Sequence, residues 1–154
     1  KDYFDQTPLH TAVSQSRIDA INVLLDAKAA TDPKDHKGRT PLHTAVSRSG
    51  IDIIKVLLDV KAAIDAKDGN GQTPLHIATT SSTSAAATVP QLLAAKATID
   101  VSDNHNKTPL HYATENNHNA ALRAFLSSFA DAALDDTKKK PRNRRRRGHS
   151  RGGR

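Results

Sequence analysis

The sequence predicts an all-α repeat solenoid, and three observations carry that prediction. The word Thr-Pro-Leu-His occurs four times, beginning at Thr7, Thr40, Thr73 and Thr108, so the words advance by 33, 33 and 35 residues. Ala12, Ala45, Ala78 and Ala113 each stand two residues after the His. A leucine pair follows in each unit, Leu24-Leu25, Leu57-Leu58 and Leu92-Leu93, with Phe125-Leu126 in its place in the last. A fixed period of this length marks stacked supersecondary units, none of which can bury its apolar face alone.

The second repeat serves as the type. Asp35-His36-Lys37-Gly38-Arg39 is turn chemistry, with Gly38 able to take positive φ. Thr40 is placed as N-cap and Pro41 as the first helical residue, where a missing N–H costs nothing. This helix is expected to run to about Ser49. Ile51, Ile54, Leu57 and Leu58 follow at helical spacing and define a second helix, with Asp52 complementing its dipole. Ile18, Ile21, Leu24 and Leu25 copy it in the first repeat. The third repeat is irregular: Ser81 to Pro90 holds two extra residues and loses the isoleucines. Proline inside a helix costs about 3 kcal/mol, so this helix is expected to kink or begin near Pro90. Decay of the repeat and a partner-specific loop both fit the segment. The fourth repeat closes with Ala121, Leu122, Phe125, Leu126 and Phe129, and the periodicity stops beyond Asp136. The domain is therefore residues 1–136, in units of about 2–34, 35–67, 68–102 and 103–135.

The T-P-L-H-x-A word at this period resembles the ankyrin repeat. The resemblance implies a β-turn finger and two short antiparallel helices per repeat, and a surface that grips other proteins. It implies that His10, His43, His76 and His111 order their turns by hydrogen bonds to the matching Thr hydroxyls, and so are framework. Ankyrins usually carry Gly at the left-handed position after the second helix. Lys28, Lys61, Lys96 and Phe129 stand there instead. Each such residue costs on the order of 1 kcal/mol, of which a nearby helix dipole returns a few tenths to Lys. Ser16, Ser49 and Asn117 likewise replace Gly between the helices. The array is expected to be less stable than a consensus one.

In the family, partners meet the finger tips and the exposed side of the first helices, which form one concave face. Carried onto this sequence, the fingers offer Tyr3 and Phe4, then His36, Lys37 and Arg39, then Asn70 and Gln72, then Asn104, His105 and Lys107. The first helices add Thr11, Thr44, Ile77 and Tyr112 just after each His, with Gln15, Arg48 and Asn116 further along. Aromatics concentrate interface energy, so Tyr3, Phe4 and Tyr112 are the expected anchors. Phe4 could instead cover the open end of the first repeat. The face is mixed in charge, and sign alone does not name its partner.

Composition limits what else the chain can do. It has no Cys, so it has neither a disulfide framework nor a thiolate site, and no apolar run approaches a membrane span. No signal peptide, Gly-rich phosphate loop, G-x-S-x-G turn or H-E-x-x-H pair is visible, and neither an enzyme nor a cofactor is expected. His36 and His105 lie on fingers separated by another finger. With layers about 8–10 Å apart they cannot share one metal ion. The chain opens at Lys1, without Met and inside a repeat, so a fragment or processed form is expected, with a catalytic domain elsewhere in the parent chain left open.

Charge divides the chain in two. All 16 acidic residues lie in 1–136 beside 13 Lys and Arg, a balance of −3, whereas 137–154 hold ten Lys and Arg and no acid. The tail comprises Lys138, Lys139, Lys140, Arg142, Arg144, Arg145, Arg146, Arg147, Arg151 and Arg154, with no apolar residue but Pro141, and is expected to be disordered alone. Such a run reads as a nuclear-localisation signal recognised by an import receptor, or as a nucleic-acid or other polyanion-binding arm. No aromatic interleaves the arginines, so any nucleic-acid binding would be weakly sequence-selective. Clamping onto the acidic repeats or onto anionic lipid also fits. The expected protein is an intracellular monomer, nuclear or cytoplasmic in its own cell or a host's, holding a protein partner.

Overall fold

The computed structural model describes residues 4–80 and 82–138, by backbone alone at 82–84 and 131–138. In chain order the helices are α1 (Pro8–Ser14), α2 (Ile18–Asp26), α3 (Pro41–Ser47), α4 (Ile51–Asp59), α5 (Pro74–Thr80), α6 (Ser82–Ala94), α7 (Pro109–Glu115) and α8 (Asn119–Lys138). No strand occurs among the described residues. The four-unit helical solenoid is as the repeats predict.

Each repeated word starts a helix as expected, with Thr7, Thr40 and Thr108 as extended N-caps and proline first in the helix. Helix α3 ends at Ser47, two residues short of the expected Ser49, because the chain turns there. Ser16, Ser49 and Asn117 are left-handed at φ 55°, 57° and 53°, which lets each second helix double back on the first. Lys28, Lys61 and Lys96 are left-handed too, at φ 60°, 63° and 69°. Each closes its helix with a paired bond, as where the Lys61 N–H meets the Leu58 carbonyl and the Ala62 N–H meets that of Leu57. Replacing Lys28, Lys61 or Lys96 by Gly should therefore stabilise the fold by up to about 1 kcal/mol each. Thermal midpoints of the three variants check this, and a drop in all three would contradict it.

Phe129 departs from this pattern. It lies inside α8, which runs on through 20 residues to Lys138 and past the expected boundary at 136. Thr137 and Lys138 are thus helical rather than tail. The run Ala130, Ala132, Ala133 favours helix, and no Gly or further Thr-Pro-Leu-His word interrupts it. The third repeat departs as well. Rather than beginning near Pro90, α6 starts at Ser82, and its 13 residues exceed the nine of α4. The residues from Ser82 onward, inserted ones included, are helical. Pro90 and Ala86 are both exposed, so the carbonyl that proline leaves without a partner is on the wet side. Val89 and Leu92 still fill the core places of Ile54 and Leu57.

The first helices stack in the order α1, α3, α5, α7, and behind them α6 packs on both α4 and α8. The core is one continuous column to which every repeat contributes the same positions, among them Leu9, Leu42 and Leu75 from the repeated words. Each finger is a turn closed by backbone bonds, as from the Asp35 N–H to the Arg39 carbonyl at 3.0 Å. Gly38 and Gly71 take φ +71° and +75°, and a Cβ on Gly71 would lie 2.4 Å from Asn104 Oδ1 of the next finger. Asn106 holds the equivalent place in the fourth finger at φ 58°.

Candidate functional site

The fingers are held by bonds within and between repeats, and the repeated histidines supply one set of them. In each word the Thr N–H donates to His Nδ1 (3.3, 3.2, 3.1 and 3.1 Å along the chain) and the Thr hydroxyl lies 2.7–3.1 Å from the same nitrogen. The opposite ring nitrogen reaches the next finger. His10 Nε2 donates to the Arg39 carbonyl, His43 to that of Gln72 and His76 to that of Lys107, each at 3.0 Å. A carbonyl only accepts, so Nε2 carries the proton and Nδ1 is the acceptor. The Thr partners were legible in the family resemblance; the bridge to the following repeat was not.

Main-chain bonds tie finger to finger, from the His36 N–H to Phe4, Gly69 to Lys37 and Asn104 to Asn70 (2.8–3.0 Å). Lysines repeat the pattern behind them: Lys34 Nζ donates to the Lys67 carbonyl at 2.8 Å, and Lys67 Nζ to that of Ser102 at 2.9 Å. Asp32 and Asp65 accept the N–H groups of Ala63 and Thr98 in the following repeats.

On this frame the expected readout residues divide into two sets. Thr11, Gln15, His36, Lys37, Arg48, Asn70, Asn104, His105 and Asn116 are exposed, and Phe4 is exposed with its ring 5.3 Å from that of His36. The Phe4 ring thus lies against the second finger. Thr44 and Ile77 are half-buried beside the fingers. Arg39, Gln72, Lys107 and Tyr112 are half-buried and bonded to neighbours, and the exposed His36 and Asn104 also reach the carbonyls of Phe4 and Gly69. Arg39 forks onto Asp35 Oδ2 through Nε and Nη2 (3.2 and 3.0 Å). Tyr112 donates to Asp103 at 2.7 Å and accepts from Gln72 Nε2 at 3.2 Å, joining third and fourth fingers. Lys107 pairs with Glu115 at 2.7 Å, and its Nζ sits 5.5 Å from the centre of the Tyr112 ring. Tyr3 and the basic residues from Lys139 onward lie outside the described residues; Lys138 is described by backbone alone.

Sequence reasoning placed Asp35 in its turn but passed over the recurrence of that aspartate and the bonds it makes. Asp35, Asp68 and Asp103 recur at the repeat spacing, which was the available signal. Asp35 Oδ1 accepts the N–H groups of Lys37 and Arg39, Asp68 those of Asn70 and Gln72, and Asp103 those of His105 and Lys107. Burial would raise the Asp103 carboxyl, but the Tyr112 hydroxyl, these two N–H groups and Gln72 outweigh it and hold the group well below the carboxylate range. Burial likewise raises Asp35, and the Arg39 N–H and guanidinium reverse the sign. The bond to Asp103 pushes the Tyr112 phenol up. Burial lowers His43 and His76, against the carbonyls of Gln72 and Lys107, and keeps both neutral.

These directions fix an acid response. With native His43 and His76 lowered, the unfolded chain binds their protons first. Stability is therefore full above about pH 6.5 and falls below it until the native rings also protonate. Asp35 and Asp103 are lowered carboxylates, so their contribution is present above the unfolded value near 3.8 and lost as pH falls further. Urea midpoints measured from about pH 8 to about pH 3 should drop in two stages. A flat response through the histidine range would contradict the buried-ring account.

A family profile for ankyrin repeats, in three copies, matches residues 1–68 and 60–136. The chain belongs to the ankyrin-repeat family. Ankyrin repeats generally mediate contacts between proteins, and their members are typically non-enzymatic binding scaffolds. A search of curated proteins finds no match to this chain. Among the described residues of this ankyrin array no group of His, Asp and Glu is placed to hold a metal ion. No described helix is long and apolar enough to cross a membrane.

Proposed function

We propose that this ankyrin-repeat chain is a scaffold whose concave face, made of finger tips and the exposed side of α1, α3, α5 and α7, holds a protein partner. The basic tail, in this reading, is a nuclear-localisation signal. The observation that carries the proposal is the contrast on the fingers themselves. Their backbones are bonded to one another at 2.8–3.0 Å, while His36, Lys37, Asn70, Asn104 and His105 at the tips stay exposed and differ between repeats. A surface ordered in advance loses little conformational freedom on binding, which removes one of the costs of association.

The ten cations of residues 137–154 favour a second reading, in which the tail supplies affinity for a nucleic acid or another polyanion and the repeats are a handle. Removing residues 137–154 separates the two. Under the scaffold reading, pull-down of the protein partner survives, nuclear accumulation is lost, and Lys37→Glu with Arg48→Glu weakens capture at least tenfold. Under the second, affinity for DNA or RNA collapses and its salt dependence disappears. Retained nuclear accumulation without the tail would overturn the addressing role.

A further inference from the structure

The third finger carries the one Asn-Gly step of the chain, Asn70-Gly71. At the matching places the second finger has Lys37-Gly38 and the fourth His105-Asn106. The fold requires this glycine: Gly71 is buried at φ +75°, and a Cβ on it would lie 2.4 Å from Asn104 Oδ1. The asparagine beside it is unconstrained at its side chain. Asn70 is exposed at the tip, and its carboxamide bonds to no described residue. An electrophilic carboxamide thus stands next to a main-chain nitrogen whose own residue has no side chain to crowd it.

That pairing has a chemistry of its own, and asparagine is among the thermolabile residues. Once hydroxide removes the Gly71 N–H proton, the nitrogen attacks Asn70 Cγ and forms a new N–Cγ bond. The bond from Cγ to the carboxamide nitrogen breaks, and that nitrogen leaves as ammonia. The product is a cyclic succinimide. Water then opens the ring at either carbonyl. Breaking the N–Cγ bond gives aspartate; breaking the bond from nitrogen to the Asn70 main-chain carbonyl carbon gives isoaspartate. Both products add a carboxylate, and isoaspartate also lengthens the main chain by one carbon.

The closed finger opposes the first step in three ways. The Gly71 N–H donates to the Asp68 carbonyl at 3.0 Å, so its proton is bonded. Asp68 Oδ1 lies 2.9 Å from the nitrogens of Asn70 and Gln72, and its carboxylate disfavours a negative charge on the nitrogen between them. Ring closure must also turn the Asn70 Cα–C bond. Asn70 is anchored on both sides of that bond, by its N–H on Asp68 and by its carbonyl, which accepts the Asn104 N–H at 3.0 Å. The neighbouring Asp68-Gly69 step is less reactive, since a carboxylate has no leaving group comparable with ammonia. We propose that Asn70 is a spontaneous deamidation site gated by its own finger, reacting when the third finger parts from the fourth and Asp68 releases Asn70. The observed rate is then that of the open form multiplied by the fraction of time the finger is open. The new carboxylate stands on the concave face, and the chemistry holds whatever that face binds.

Peptide mass spectrometry on the full chain, aged in mildly alkaline buffer with and without guanidinium chloride, tests the proposal. In denaturant Asn70 should convert faster than Asn104, Asn106 and Asn117, whose following residues carry side chains. In the folded chain its conversion should be slower by at least about tenfold, the factor that a mostly closed finger imposes. Asp68→Ala removes the clamp. Its folded-state rate at Asn70 should rise at least about fivefold, while its rate in denaturant stays close to the parent's. Far-UV circular dichroism checks that the variant is folded; where it is not, the wild-type ratio decides alone. Equal wild-type rates with and without denaturant overturn the gate, as does an unchanged rate in folded Asp68→Ala. Asn70 still intact in denaturant after Asn104 or Asn106 has converted overturns the site. Finding or failing to find a protein partner moves none of these readings.

Discussion

Phe125→Ala should destabilise the last repeat by about 3–5 kcal/mol, the usual cost of emptying a ring-sized core site. Phe125 is 1% exposed in the column where other repeats place a leucine, and α8, which carries it, packs on α6 and α7. Stability in a solenoid is a sum of repeat and nearest-neighbour contributions, so the loss should be local at first. Native-state hydrogen exchange should show α8 amides losing protection while those of α3 and α4 keep theirs. Leu126→Ala, one residue on and 68% exposed, should stay within about 0.5 kcal/mol of the parent. Equal effects of the two substitutions would mean that the ring is not the anchor of the fourth repeat.

His76→Ala should cost about 2–4 kcal/mol, because it leaves two groups without partners at once. The Thr73 N–H, on a fully buried residue, loses Nδ1 at 3.1 Å, and the Lys107 carbonyl loses Nε2 at 3.0 Å. The first loss loosens the start of α5 and the second uncouples the third repeat from the fourth finger. His111→Ala is the control. It keeps the same bonds to Thr108, at 3.1 and 2.7 Å, but it is exposed, and among the described residues no finger carbonyl receives its second nitrogen. Water replaces what it loses, and the cost should fall below about 1 kcal/mol. Urea midpoints of the two variants decide it. If His111→Ala were as damaging as His76→Ala, the bridge between repeats would not be the source of the stability.

How far the sequence could be read depended on whether a residue's partners lie within its own repeat. The helix starts at Thr7, Thr40 and Thr108 were legible because an N-cap and the proline after it act over a few residues. The left-handed Lys28, Lys61 and Lys96 were legible because they break a family pattern at a fixed offset. The start of α6 was not. Proline disfavours a helix interior, yet the column of buried Ala85, Val89 and Leu92 holds the chain helical through Pro90, and the exposed side absorbs the missing bond. Phe129 was misread for a related reason: it occupies the right offset, but among the described residues the helix runs on past it to Lys138.

For the expected contact residues, the places on the frame were legible in the sequence and the bonds their side chains make were not. Arg39, Gln72, Lys107 and Tyr112 sit where the family pattern places readout residues, yet Asp35, Asp103 and Glu115 engage them. Three of these contacts form within one repeat, where the finger folds back on itself or on its first helix, and stacking alone makes the fourth, from Gln72 to Tyr112.

By itself, then, the sequence determined the period, the helix pairs, the helix caps and the family, since each follows from residue types at short or repeating intervals. Tertiary structure alone decided which copy of a repeated residue matters. Four identical words contain four identical histidines, and three are buried bridges while the fourth meets water. The reason is physical: a solenoid residue draws its stability from the next repeat along, and a residue's letter does not say whether that neighbour is there.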